Sequence, residues 1–391
     1  MRRVAITGLG AFSALGESVK QLDEGLQAGR SGVRPLTLFD ATGFRSNLAA
    51  QAPEPPDGDQ TTWSRPDRFG LAAAAEAIAM AGLGPGDLAE AALGFGTGTG
   101  GAMLTEAVLA AQLQGAPIDA DLRRTLVPHQ PCSVTDLVAR RFAIAGPRTT
   151  VMTACSSSAI AIGWAADRIR SGDVDVALGG GAEGLCRLTY AGFSCLRAIA
   201  PGPSQPFDQN RKGLNLGEAG AVLVLEEWER AKARGATLHA EVLGFGTSCD
   251  AVNMANPEPE GMRTAMARAL QDAGLPPSAV SYVNAHATGT RAGDAAEAEA
   301  VWRLLGGDVP TSSNQGHLGH TLGACGALES IVAIEAMRRG IVPHTRNLVQ
   351  PDVAPIHLVQ RPLARPVEVV LKTSFALGGI NSALVFRHPE A

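Results

Sequence analysis

No run of apolar residues in this 391-residue chain is long enough to span a bilayer, because Asp, Arg or Gly interrupts each one. Its six cysteines (Cys132, Cys155, Cys186, Cys195, Cys249 and Cys325) contain no CxxC pair and follow no framework spacing. That excludes a disulfide scaffold and fits reduced thiols in a cytoplasmic protein. Excess positive charge is also missing. With 18% charged residues and a net charge of −5, no global attraction to nucleic acid or to an anionic membrane is expected. The start, "MRRVAITGLG", runs straight into a strand and a glycine turn, so no signal peptide is expected. No Pro- or Ser-rich linker divides the middle of the chain. What is present is a 45% hydrophobic sequence with ample material for a large core.

The 46 glycines cluster after apolar runs, as strand-to-helix turns require. Strand patterns fall at residues 4–8, 91–96, 149–152, 174–180 and 219–226, and again at 238–246, 280–286, 367–375 and 381–388. Helical patterns cover the segment from Cys155 to Arg170 and residues 261–275, 295–306 and 320–340, with a turn at 312–317. Continuous apolar strands alternating with helices predict an α/β protein with buried sheets. Both parts run through similar βαβαβαββ orders. The chain therefore divides into halves at 1–236 and 237–391. Leu36 to Pro66, rich in Pro, Gly and Asp, reads as a surface insertion.

Candidate chemistry begins at "VMTACSSSAIAIGWA", residues 151–165. Cys155 sits where a strand enters a helix, so the helix macrodipole is expected to stabilise its thiolate. The small neighbours Ala154, Ser156, Ser157 and Ser158 leave room for a substrate carbonyl. His286 ends a strand in "NAHATGT", and His320 stands in "GHLGHTLGACG" where a turn enters a helix. In layered α/β folds such ends converge on one face. Zinc on His317 and His320 lacks two further ligands nearby in sequence, so no metal is expected. "GTGTGG" (96–101) has the spacing of a dinucleotide fingerprint but no acidic residue ending a second strand, so its glycines are assigned to tight packing.

The ordered motifs "TACSSS", "NAHATGT", "GHTLGACGALES" and "SFALGGINSALVF" resemble those of the β-ketoacyl-acyl carrier protein synthases, condensing enzymes of the thiolase fold. The resemblance covers nearly the whole chain. It implies duplicated halves forming a five-layered αβαβα core. It also implies decarboxylative Claisen condensation of an acyl-enzyme with malonyl-acyl carrier protein, giving a 3-ketoacyl thioester. Cys155 would then take the acyl chain, while His286 and His320 serve decarboxylation and stabilise the enolate. Alanine at either histidine is expected to spare self-acylation at least in part. Backbone N–H groups of Cys155 and Leu377 would form the oxyanion hole. Thr288 and Thr290 would hold the pantetheine arm, and Gly378, Gly379 and Asn381 would shape the loop beneath the thioester.

No cofactor is implied beyond the phosphopantetheine carried by the substrate. The implied partners are an acyl carrier protein, docking on Arg65, Arg68, Arg123, Arg124 and Arg197, and a second subunit. That subunit is either an identical chain or a chain-length-factor homologue. Three departures from the family pattern stand out. Gln315 stands where the family carries a lysine, leaving its partner Glu329 facing a neutral amide, and Gln315→Lys is expected to be tolerated. Leu377 replaces a gating aromatic. These changes, with "RKGL" at 211–214, point to specialised polyketide or polyene-type biosynthesis over housekeeping fatty-acid synthesis. A thiolase would need a second cysteine in "SFALGGINS", which has none. A non-catalytic chain-length-factor role is the alternative, and the presence of Cys155 weighs against it.

Overall fold

The apolar runs become strands buried along most of their length. The computed structural model describes residues 1–55 and 63–391. Among the described residues, the main sheets take from the first part β1 (Val4–Ser13), β2 (Ala92–Gly96), β3 (Arg148–Val151), β4 (Val176–Glu183) and β5 (Ala219–Glu227). From the second they take β6 (Ala240–Cys249), β7 (Tyr282–Ala285), β8 (Thr311–Ser313), β9 (Val369–Phe375) and β10 (Ile380–Arg387).

Their spatial orders are β3-β2-β4-β5-β1 and β8-β7-β9-β10-β6. Counted from the start of each part, both read third, second, fourth, fifth, first. In each, the outer two pairings are parallel and the next two antiparallel. A two-residue ladder, Ala5 opposite Glu241 and Ile6 opposite Ala240, joins the two sheets.

Helices cover these sheets on both faces. Helices α1 (Arg65–Ala81) and α2 (Ser133–Arg141) pack outside the first sheet, α3 (Ser157–Arg170) packs inside it, and α4 (Pro259–Asp272) and α5 (Arg291–Leu305) lie outside the second. α6 (Cys325–Arg339) lies beside α3, so these two fill the layer between the sheets. These are the five αβαβα layers that the resemblance implied. Glycine sets the spacing at one repeated contact. A Cβ on Gly8 or Gly10 of β1 would fall 2.1 and 1.9 Å from the carbonyls of Ala77 and Ala73 in α1. Gly244 and Gly246 of β6 meet Ala269 and Ala265 of α4 in the same way, at 2.1 and 2.3 Å. Each alanine-lined helix therefore rests its backbone directly on a strand.

Three expectations change. The turn at 312–317 is the edge strand β8 followed by a helical turn at Gln315–Leu318. Its Thr-Ser-Ser sequence carries no apolar signal, and pairing with β7 makes it a strand. The surface insertion is partly a packed flap: Leu36, Leu38, Phe39 and Phe44 lie against the cluster around Tyr190. The Tyr190 hydroxyl donates to the carbonyls of Ser46 and Leu48. Residues 56–62 of that insertion lie outside the described residues. Third, the helices do not begin at Cys155 and His320, because a 3-10 turn precedes each.

Candidate active site

Those turns build the site. Ala154–Ser156 leads into α3, and Leu322–Ala324 leads into α6. The first residue of each has a left-handed backbone, φ 51° at Ala154 and 47° at Leu322, a strained conformation that bends the chain sharply. Cys155 follows Ala154 and sits buried at the tip of α3. On the opposite side, the loop before the second turn carries His320. A bridge fixes its backbone, the N–H donating to Asn215 at 2.7 Å and the carbonyl accepting from Gly217 at 2.9 Å. His286 follows β7, and Glu297 of α5 accepts from the backbone N–H groups of His286 and Ala287 at 2.9 and 2.7 Å.

The Cys155 Sγ lies 2.9 Å from His320 Nε2. The two imidazole rings are 5.2 Å apart and nearly perpendicular. Sγ and one nitrogen of each ring all lie within 4.8 Å of one another. A cleft of about 450 Å3 opens over them, lined by Thr288, Thr290, Phe193, Leu377 and Gly379 among others. The hydroxyl of Thr288 donates to that of Thr290 at 3.2 Å. Asn381 donates to Asp250 at 2.7 Å, and Gly378 N–H donates to the Met254 carbonyl at 2.9 Å. The loop 376–381 is thereby latched to the segment after β6. Gly378 and Gly379 have φ of 91° and 75°, which a side chain would strain.

Charge in this pocket differs from expectation. Burial pushes the Cys155 thiol up to about 12, while the backbone N–H groups of Leu377 and of Cys155 itself pull it down. Desolvation outweighs these two donors, which favours a neutral thiol over the expected dipole-stabilised thiolate. Burial and then the Lys372 ammonium bring His320 down to about 3. Burial, His320 and Lys372 hold His286 well below its ordinary value. These shifts favour a thiol beside a neutral imidazole at rest.

Glu329 does not face a neutral amide alone. Lys372 of β9 brings Nζ to 2.8 Å from Glu329 Oε2. Burial raises the Glu329 carboxyl, and Lys372 and the Gln315 amide oppose that. The sequence reasoning missed Lys372, although a charged residue directly after the apolar "VVL" of strand β9 is itself a signal. It also missed Arg45, Lys212 and Arg291, exposed residues that line the mouth of the cleft with Arg197.

The arginines divide. Arg65 clasps the fully buried Glu218 through Nε and Nη2 at 2.9 and 2.8 Å. Arg68 is buried, donating to Glu54 at 2.9 Å and to the Pro55 carbonyl. Both are turned inward, which corrects their assignment to a docking surface. Arg123, Arg124 and Arg197 are exposed. The glycine loop after β2 is also accounted for: Glu183 accepts from the N–H groups of Gly98, Thr99 and Gly323. A protein carboxylate occupies the donors that a phosphate would need.

Two sets of donor atoms converge closely enough to hold a metal, Cys155 with His286 and His320, and His286 with Cys325 and Glu329. In the first, Cys155 Sγ already meets His320 Nε2; in the second, Glu329 is held by Lys372 and Gln315, His286 Nδ1 faces Gln315, and Cys325 Sγ donates to the Cys155 carbonyl. His317 is committed elsewhere, facing the carbonyls of Arg30 and His344.

Comparison with known proteins converges on the same arrangement. Residues 1–231 match the model of the beta-ketoacyl synthase N-terminal domain, and residues 239–349 match that of its C-terminal domain. The chain is 35% identical to the 3-oxoacyl-[acyl-carrier-protein] synthase 2 of Coxiella burnetii, covering 98% of both chains. It is 36% identical to a putative polyketide beta-ketoacyl synthase 1 of Streptomyces cyaneus, covering 99% of this chain and 98% of that one. A solved structure described as the ishigamide ketosynthase/chain length factor superposes with a TM-score of 0.94 at 36% identity, covering 99% of each chain. With both domain models matched in order and the fold shared from end to end, the chain belongs to the β-ketoacyl synthase family.

Proposed function

We propose that Cys155 accepts an acyl chain as a thioester and that His286 and His320 drive decarboxylation of a malonyl thioester, whose enolate then attacks the acyl-enzyme. The observation carrying these roles is the 2.9 Å contact between Cys155 Sγ and His320 Nε2 inside the cleft. In the first half-reaction Sγ attacks the incoming thioester carbonyl while its proton passes to His320 Nε2. The departing carrier thiol takes that proton. The N–H groups of Cys155 and Leu377, already pointed at the sulfur, receive the developing oxyanion. In the second half-reaction carbon dioxide leaves and negative charge builds on the malonyl thioester oxygen. Two neutral imidazoles can donate to it from Nε2. The enolate carbon bonds to the acyl carbonyl, and collapse expels Cys155.

We assign Thr288 and Thr290, which line the cleft, to the pantetheine arm. Arg45, Arg197, Lys212 and Arg291 give the mouth a cationic rim suited to an acidic carrier protein, with Arg123 and Arg124 as further docking residues. The phosphopantetheine arrives on that carrier, and we assign no other cofactor. Edge strand β3 is followed by Met152, which is 52% exposed. This edge suits pairing with a second subunit, either an identical chain or a chain-length factor. We further assign the halves to 1–236 and 237–391, a cytoplasmic setting, and a specialised polyketide or polyene-type pathway. No helix among the described residues is long and apolar enough to cross a membrane. A non-catalytic subunit has no use for a thiol aligned with a histidine, so the catalytic reading is preferred. Incubation with acyl carrier protein loaded with short and medium acyl chains, followed by intact mass, tests it. Acyl adducts that vanish in Cys155→Ala are expected, and an adduct on another cysteine overturns the assignment.

A further inference from the structure

Only four lysines occur in the chain, and Lys20, Lys212 and Lys232 are exposed. Lys372 has a fully buried side chain. Besides Glu329, its ammonium donates to the Thr373 carbonyl and to Ser374 Oγ at 3.3 Å. A buried ammonium persists only where counter-charge and acceptors surround it. Here the counter-charge is a carboxylate whose other oxygen points toward the catalytic centre.

Glu329 Oε1 accepts from Gln315 Nε2 at 2.8 Å, and the same nitrogen lies 3.2 Å from His286 Nδ1. The carboxylate dictates the amide's orientation, since turning the amide oxygen toward it would set acceptor against acceptor. Gln315 Nε2 carries two hydrogens, one for Glu329 and one for His286 Nδ1. Capping Nδ1 from outside leaves the His286 proton on Nε2. By contrast, His320 Nδ1 has no hydrogen-bond partner among the described residues, so that ring can carry its proton on either nitrogen as the two half-reactions demand.

We propose that Lys372 is the positioning cation of this centre: it anchors Glu329, which through Gln315 holds His286 with its proton on Nε2, facing the cleft. The cation has changed sides relative to the family pattern, coming from β9 while residue 315 has become a neutral relay. This revises the expectation for Gln315→Lys. With Lys372 in place, a second ammonium would be buried without a second carboxylate.

The inference rests on the decarboxylation reading above, and the test separates the two. Lys372→Met and Gln315→Leu should each lower kcat for malonyl-acyl carrier protein decarboxylation by roughly tenfold or more, short of the ~10²–10³ of deleting a donor outright. KM and self-acylation of Cys155 should stay within about threefold. Gln315→Lys alone should be impaired, whereas Lys372→Met combined with Gln315→Lys should recover much of the rate by returning one cation to Glu329. If Lys372→Met does not fold, Gln315→Leu still cuts the relay with the ion pair intact. Nitrogen-15 spectra of the histidines report the tautomer without substrate. Wild-type protein should show His286 protonated on Nε2, and Gln315→Leu should show a mixture. An unchanged tautomer in Gln315→Leu, or a double variant no better than Lys372→Met, overturns the relay. A wild-type protein that shows the tautomer but does not decarboxylate overturns the reaction instead.

Discussion

Cys155 Sγ and His320 Nε2 come from different halves of the chain and meet at 2.9 Å, whereas Nδ1 of His286 is taken up by Gln315. The two histidines are therefore unequal in their surroundings, which sharpens the expectation that alanine at either would spare self-acylation at least in part. His320→Ala should slow both self-acylation and decarboxylation, because it removes the base beside the thiol. His286→Ala should lower decarboxylation by about 10²–10³ and leave acylation within about threefold. Intact-mass acylation rates and carbon dioxide release, measured on the same preparations, check this. Equal losses in both assays for both variants would contradict the division.

A thiol pushed up to about 12 leaves little thiolate at neutral pH. For an acid raised this far, the thiolate fraction grows about tenfold per pH unit well past the ordinary thiol value. Alkylation of Cys155 by a small haloacetamide, followed by peptide mapping, should keep rising from pH 7 to pH 10 without levelling. A plateau near pH 8.5 to 9 would show that the helix terminus outweighs burial.

Leu377 lines the cleft and is 38% exposed, on the same loop that contributes an N–H toward the thiol. Leu377→Phe should narrow the range of chain lengths accepted, since a ring blocks more of the path than a flexible branched side chain. Product profiles from mixed acyl-carrier substrates test it, and an unchanged distribution would remove Leu377 from gating.

The arginines should separate by assay. Arg65→Ala leaves Glu218 buried without its partner and should cost about 3 kcal/mol or more of stability, seen as a lower Tm. Reversing charge at Arg123 and Arg124 should leave Tm unchanged and weaken carrier-protein binding, with the loss shrinking as salt rises. Binding that is unaffected at low salt would exclude this pair from docking.

Most of the fold was legible because its strands are continuous apolar runs punctuated by glycine. β8 was not, because three small polar residues gain strand character only from a neighbour. The three side chains that converge in the cleft could be named because each follows a strand end or a turn in a distinctive motif. The surroundings that set their protonation were hidden, because they depend on pairings far apart in sequence. Lys372 reaches Glu329 from another element, and Arg65 finds Glu218 across 153 positions. A residue's type and spacing do not say whether its charge meets water or a buried partner.

The two-residue ladder between β1 and β6 also bears on how the protein reaches its working form. Each half can close its own sheet from nearby strands, but Cys155 lies in one and both histidines in the other. Aligning them waits for the halves to dock, with contacts such as Gly323 on Glu183 and Leu216 beside His320 closing late and over long loops. Native-like secondary structure should therefore return before activity does during refolding, and neither half alone holds even a rudimentary version of the site.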